Sequence, residues 1–211
     1  MNILIISGAF QPEISPRSFR TTELTKELCR QGHKITLYIP KYDYDYTDFL
    51  KSYPITIKIA DIGEDHLVFS GFLGKVVARL KATYIEYPNI RYLKIIPELL
   101  KNEKDYDLLI SIAMPHPIHW GIDRLIRKHP NLAKTWVADC GDPYMLENID
   151  TFRHPFYFKP IEKSWCRRAD YIAIPIESGK DGYYKEFHDK IRIISQGFNF
   201  DDFRSEEAFK P

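Results

Sequence analysis

Cysteine is scarce and unpaired in this chain of 211 residues: Cys29, Cys140 and Cys166 stand far apart and form no CxxC. That excludes a zinc ribbon and a disulfide framework, and it fits a reducing compartment. No apolar run is long enough to span a bilayer. The opening MNILIISG is too short for a signal-peptide core and runs straight into turn residues. Charge of one sign is missing too. The 30 Lys+Arg stand against 29 Asp+Glu, a formal net charge of +1, so a chain held all over to nucleic acid is disfavoured. Glycine is thin where nucleotide-binding loops need it. The first turn, Ser7-Gly8-Ala9-Phe10-Gln11-Pro12, has one glycine, so the dinucleotide fingerprint fails. No GxxxxGK[ST], HExxH, GxSxG or EF-hand loop occurs. The expectation is a cytoplasmic globular protein with no nucleic-acid partner.

What the chain does have is a core. Hydrophobic residues make up 44% of it, and they fall in short runs: Ile3 to Ile6, Ile35 to Ile39, Ile55 to Ile59, Leu108 to Ile112, Trp136 to Ala138, Tyr171 to Ile174 and Ile191 to Ile194. Continuous apolar runs of this length fit strands buried on both faces. Most are separated by segments long enough for a helix. The clearest is Pro16 to Gln31, with Thr21, Leu24, Thr25, Leu28 and Cys29 on one face. Ser15 is placed to cap it, Pro16 to open it and Gly32 to stop it. Strand and helix in alternation predict an α/β, Rossmann-like, doubly wound and mostly parallel sheet of about seven strands with helices on both faces.

Three blocks then carry a family resemblance. Phe10-Gln11-Pro12, Ser15 to Thr21, Leu24 to Leu28 and Arg30 to Ile35 form the first. Val137-Ala138-Asp139-Cys140-Gly141-Asp142-Pro143-Tyr144 forms the second. Ile161-Glu162-Lys163, Arg168 to Ile172, Lys190 to Ile194, Gln196 to Asn199 and Asp202-Phe203 form the third. In this order they resemble the N-terminal half of the family-4 (group 1) glycosyltransferases, two-domain enzymes of the GT-B fold. The second block is similar to the family's ADxRDPW element, with Gly141 where that element has Arg and Tyr144 where it has Trp. Gln196 and Asn199 likewise replace the Asn and Asp of an NGxD element. The family's E-x7-E donor motif is absent from this sequence. The resemblance therefore implies a single N-terminal acceptor-binding domain over residues 1–211, without its C-terminal donor-binding domain and inactive in isolation. It implies a retaining transfer from a nucleotide-sugar donor to a glycan or lipid-linked acceptor, as in polysaccharide or glycolipid assembly, with no metal or other cofactor. The rival reading is a non-catalytic Rossmann-like binding or partner domain that needs a separate subunit.

Ligands of doubly wound sheets bind beyond the carboxyl ends of the strands, which selects the site candidates. After the first strand, Ser15, Pro16, Arg17 and Arg20 lie at a helix N-terminus that favours anions, so they are candidate substrate-binding residues. After the fourth run, His116 is a candidate catalytic residue, a neutral-pH proton carrier or a hydrogen-bond donor to phosphate; His119 is expected inside the following helix. After the fifth, Asp142 is the second catalytic candidate, and Asp139 and Tyr144 are substrate-binding candidates. Asp43-x-Asp45 and Asp105-x-Asp107 match a DxD metal motif only superficially, since neither is expected to follow a strand. Cys140 has no base evident beside it in the sequence. Tyr42 to Tyr46 is expected to be a polar loop.

Segment 71–101 stands out by charge. Lys75, Arg79, Lys81, Arg91, Lys94 and Lys101 against Glu86 and Glu98 leave it at +4, with apolar residues at helical spacing. Two readings stand: a core-packed helix with a solvated basic face, or a peripheral contact with the inner face of an anionic membrane.

Overall fold

The computed structural model describes residues 1–60, 71–146 and 154–196. Every apolar run becomes a strand: β1 (Asn2–Ser7), β2 (Lys34–Pro40), β3 (Thr56–Ala60), β4 (Tyr106–Ile112), β5 (Ala133–Asp139), β6 (Tyr171–Ile174) and β7 (Ile191–Ile193). They form one sheet in the order β3-β2-β1-β4-β5-β6-β7, and every neighbouring pair is parallel. The helices are α1 (Pro16–Arg30), α2 (Thr47–Ser52), α3 (Gly71–Ile85), α4 (Tyr92–Leu100), α5 (Pro117–Ile126) and α6 (Phe158–Arg168).

Period-two geometry explains why the strand runs are apolar without alternation. Leu4, Ile6 and Leu109 point into a core shared with α4, α5 and α6, through Ile96, Trp120, Ile122 and Trp165. Ile3, Ile5, Leu37, Ile39 and Ile110 point the other way, onto Leu24 and Leu28 of α1 and Phe49 of α2. Both faces of the central strands are covered, so consecutive positions in their middles are apolar. Each fully buried Leu, Ile or Phe contributes about 1.5–3 kcal/mol relative to exposure.

α1 shows how local sequence sets an element. Ser15 is extended, and its Oγ accepts the Ser18 N–H at 3.1 Å. Gly32 leaves the helix at φ +78°, where a side chain is strained. The buried face keeps the expected Thr21 and Thr25 and adds further polar residues in its first turns. Ser18, Arg20, Thr21, Thr22 and Thr25 are buried, while Leu24, Leu28 and Cys29 are only partly covered. The polar turns face the tip of β1, where Ser7 Oγ and Thr21 Oγ1 are 2.7 Å apart.

β1 sits between β2 and β4, so the chain changes direction across the sheet between β1 and β4. At that switch the two post-strand loops touch. A Cβ on Gly8 would lie 2.6 Å from Pro115 Cδ and 2.9 Å from the Met114 carbonyl, so glycine is required for the approach.

Candidate functional site

Three loops converge above the switch, after β1, β4 and β5. Arg17 reaches from the first turn of α1 across to the β5 loop. Its Nη2 lies 3.3 Å from Asp142 Oδ2. The guanidinium occupies the space a side chain at position 141 would need: a Cβ on Gly141 would fall 1.2 Å from Arg17 Nη2 and 2.1 Å from Cζ. Gly141, where the resembling element carries Arg, is thus the position over which Arg17 folds. The Arg17 side chain is 17% exposed and that of Asp142 60%, so the pair is open on the Asp142 side.

Beneath it lies a closed pair. Arg20 Nη2 and Nε donate to Asp139 Oδ2 at 2.6 and 3.1 Å, and Arg20 Nη1 donates to the Ser195 carbonyl at 3.1 Å. Both side chains are buried. Arg20 and Asp139, candidates for substrate contact, are engaged with each other and join α1 to the ends of β5 and β7. Ser15 is engaged in its cap, and the Pro16 carbonyl accepts the Gln196 side-chain amide at 3.0 Å.

His116 stands at the tip of β4, buried, with its ring 5.0 Å from that of Tyr144. Burial first, then the charge of Arg17 and the neighbouring His154, lower its pKa to about 3. That favours the neutral imidazole, which suits the expected hydrogen-bonding role better than that of a neutral-pH proton carrier. Its Nδ1 is buried without a partner among the described residues. Tyr144 is buried as well, stacked on His154 at 3.9 Å, and its hydroxyl donates to Glu86 Oε2 at 2.9 Å. It ties the β5 loop to the end of α3.

Behind these residues is a sealed network. Trp136 Nε1 donates to Ser111 Oγ at 2.7 Å, Ser111 meets His119 Nδ1 at 2.8 Å, and His119 Nε2 lies 3.2 Å from Cys140 Sγ. Cys140 does have a base beside it, contrary to the sequence expectation. Burial pushes the thiol up and the imidazole down, so both are neutral and the contact is structural. Glu162 is a further residue that sequence reasoning missed. Buried, with its pKa raised by desolvation, it accepts the Tyr144 and Met145 N–H groups, both at 3.3 Å, and the Tyr184 hydroxyl at 2.8 Å. It holds the β5 loop in place.

Tyr42 to Tyr46 is more than a polar loop. Tyr42 donates to Glu13 at 2.7 Å, Tyr46 donates to the Gln11 carbonyl at 2.7 Å, and Phe10 packs on Tyr46. The segment braces the β1 loop. Asp43 and Asp45 follow β2, contrary to expectation, but Asp45 accepts the Thr47 N–H at 2.9 Å and starts α2. Asp105 and Asp107 open β4, where Asp107 pairs with Lys134 at 2.7 Å. Among the described residues no group of three His, Cys, Asp or Glu is arranged to hold a metal.

Segment 71–101 divides. α4 buries Tyr92, Ile96 and Leu100, as the core-packed reading has it, whereas α3 buries none of its residues. No helix among the described residues is long and apolar enough to cross a membrane.

No family model matches the chain, and no curated protein matches it. Solved structures do. Over 98% of this chain, a glycosyltransferase from Rickettsia africae ESF-5 superposes with TM-score 0.55 and 15% identity, the match covering 47% of that protein. The fold is similar to one half of that glycosyltransferase. CalG4, the calicheamicin glycosyltransferase, matches 92% of this chain and 53% of its own at TM-score 0.56 and 15% identity. Arabidopsis thaliana UGT89C1, solved with UDP-L-rhamnose, matches 92% and 51% at TM-score 0.54 and 13% identity. The chain thus spans about half the length of each. At these identities the likeness shows the fold alone, an α/β, Rossmann-like sheet that matches a half-domain of the GT-B fold.

Proposed function

We propose that this chain is the N-terminal, acceptor-binding half of a retaining glycosyltransferase of the family-4 type, transferring a sugar from a nucleotide-sugar donor to a glycan or lipid-linked acceptor. The observation that carries this reading is the convergence of the open Arg17–Asp142 pair and the unpartnered Nδ1 of His116 at the carboxyl ends of β1, β4 and β5. In a doubly wound sheet that is where ligands bind, and the fold matches half of three glycosyltransferase-like structures. Arg17, at the helix N-terminus, binds an anionic group of donor or acceptor. Asp142, released from Arg17, accepts a hydrogen bond from an acceptor hydroxyl. Neutral His116 contributes a hydrogen bond rather than a proton. Arg20, Asp139 and Tyr144 set the positions of these groups. Ser15 and Pro16 set the helix start. Neither a metal nor another cofactor enters the reaction. A donor-binding half completes the cleft, and closure excludes water from the donor. The reading places the protein in polysaccharide or glycolipid assembly in the cytoplasm, at the inner face of the membrane.

The experiment is transfer by the full product of the gene, offered a panel of nucleotide sugars with glycan and lipid-linked acceptors, the anomeric configuration of the product being read by NMR. Transfer with retention that falls at least tenfold in Arg17→Ala and Asp142→Asn supports the reading. Inversion, or transfer indifferent to both substitutions, overturns it.

A further inference from the structure

α4 and α5 pack through a tight point at Gly121, where a Cβ would lie 2.7 Å from both Ile96 Cβ and the Tyr92 carbonyl oxygen. Between the two helices runs a groove of about 690 Å³, with Pro97 and buried Leu125 in its lining. That volume is ordinary for a small-ligand site. Lys94, Lys101, Arg124 and Lys128 line it, with His129 beside them, against the single carboxylate of Glu98. All six are exposed. Glu98 faces Lys101 at 3.5 Å. The side chains of Lys94, Arg124, Lys128 and His129 have no ion pair or hydrogen bond among the described residues. The chain as a whole carries a net charge of only +1, so four fixed cations against one carboxylate is a local arrangement rather than an effect of composition. Helix dipoles explain part of it: Arg124 stands in the last turn of α5, where a cation is favoured. They do not explain Lys94, in the first turn of α4, where a cation is disfavoured. The groove is also separate from the site above the switch. His116 precedes the first turn of α5 and Arg124 is in its last, about 12 Å further along the axis.

We propose that this groove is a second anion site, built for a condensed phosphate: a short chain of linked phosphates that carries several negative charges. A cleft lined by one sign of charge gathers the opposite one. Cations stand on both walls, so successive phosphates of one chain are met at once, by the forked guanidinium of Arg124 and by Lys94, Lys101 and Lys128 as point charges. The lining selects against other polyanions. It holds no Phe, Tyr or Trp, so a nucleic-acid base finds no such ring to stack on. It is concave and has no exposed large apolar side chain, so a lipid surface meets only its rim. The site stands independently of the transfer reading, because no group assigned to sugar transfer lines it.

The test is isothermal titration calorimetry of the chain with tripolyphosphate, at about 0.15 M salt so that unspecific attraction is screened. The expected result is one-to-one binding, with inorganic phosphate at least about tenfold weaker because it reaches fewer cations. Arg124→Ala/Lys128→Ala weakens tripolyphosphate at least about tenfold, on the scale of lost charge-assisted hydrogen bonds. Glu98→Gln, which frees Lys101 and removes the competing carboxylate, tightens it about threefold. These side chains are exposed, so circular dichroism of the variants stays that of the parent. Lys34→Ala/Lys185→Ala, which removes two exposed cations elsewhere, leaves binding within about twofold, and Arg17→Ala leaves it unchanged. Absence of binding overturns the inference. So does an equal loss in Lys34→Ala/Lys185→Ala, since net charge alone is then at work. Binding lost in Arg17→Ala and kept in Arg124→Ala/Lys128→Ala overturns it too, because the anion then sits above the switch. An oligoglutamate peptide that binds the groove as tightly as tripolyphosphate also overturns it, the occupant then being an acidic peptide. No sugar transfer is measured, so failure here is distinct from failure of the transfer reading.

Discussion

Replacing Arg20 by methionine removes the only hydrogen-bond donors that Asp139 Oδ2 has among the described residues. The two side chains are 9% and 6% exposed, so water does not substitute for the guanidinium. An uncompensated buried carboxylate costs about 3–5 kcal/mol. For a chain of this size that lowers Tm by roughly 6–20 °C. Asp139→Asn is milder. Its amide oxygen still accepts from Arg20, and Arg20 keeps the Ser195 carbonyl at 3.1 Å, so the cost is that of a charged hydrogen bond, about 1.5–3 kcal/mol. The double replacement Arg20→Met/Asp139→Leu takes both charges out of the interior and returns to within about 1 kcal/mol of the parent. Urea unfolding of the parent, Arg20→Met, Asp139→Leu and the double variant closes the cycle, with a coupling above about 2 kcal/mol expected. Single substitutions that each cost less than about 1 kcal/mol would refute the reasoning, because they would make the pair solvent-exposed.

Gly141→Ala pushes the guanidinium of Arg17 off the β5 loop. Because the pair it breaks is partly exposed, stability falls by less than about 1 kcal/mol, while sugar transfer falls to the level of Arg17→Ala; a loss of several kcal/mol in urea unfolding would mean that Arg17 cannot swing away. His116, lowered to about 3 in the fold, takes up a proton in the unfolded chain from about pH 6.5 downward. Folding stability is therefore lost at about 1.4 kcal/mol per pH unit as pH falls from 6.5 toward 3, and His116→Phe should remove that component from the pH dependence of unfolding. Glu162 has the opposite sign. Its pKa is raised, so the native state holds a proton the unfolded chain has released, and stability falls as pH rises through that window. The stability of Glu162→Gln relative to the parent should therefore increase with pH, and a difference independent of pH would count against a buried carboxylate.

The strands were legible because burial on both faces leaves an unambiguous mark, a continuous apolar run between turns. α1 was legible through its cap, its Pro16 and its Gly32. Thr21 and Thr25 of its buried face were legible as well, but Ser18, Arg20 and Thr22 were not, and Arg20 is buried by a polar partner at the tip of β5 rather than by apolar contacts. The site lay partly beyond reach for the same reason. Arg17 meets Asp142 from 125 residues away, and nothing in either local sequence says that Gly141 is empty in order to receive it. His119 reaches Cys140 only because β4 and β5 are neighbours, so a base absent from the sequence surroundings of the thiol is present in space. The amphipathic pattern of 71–85 was visible, but periodicity cannot say whether an apolar face meets the protein or something else. It took the contrast with α4, which buries three residues, to separate the two.

The polar groups at the carboxyl end of the sheet divide into those already satisfied and those that are not, and this division locates the place where a ligand can act. Arg20, Asp139, His119, Cys140 and Glu162 are buried and partnered, and moving any of them exposes a neighbour to the full cost of desolvation. Arg17 and Asp142 share a single 3.3 Å contact with one partner mostly in solvent, a pairing worth about 0–1 kcal/mol. On the proposed reading, an anionic group arriving at Arg17 displaces Asp142 at little cost and frees its carboxylate near His116, whose Nδ1 has no partner among the described residues, while the pair beneath, several times harder to break, keeps α1 joined to the ends of β5 and β7. Because the weak pair stands on the strong one, the site can exchange an internal partner for a substrate without loosening the fold.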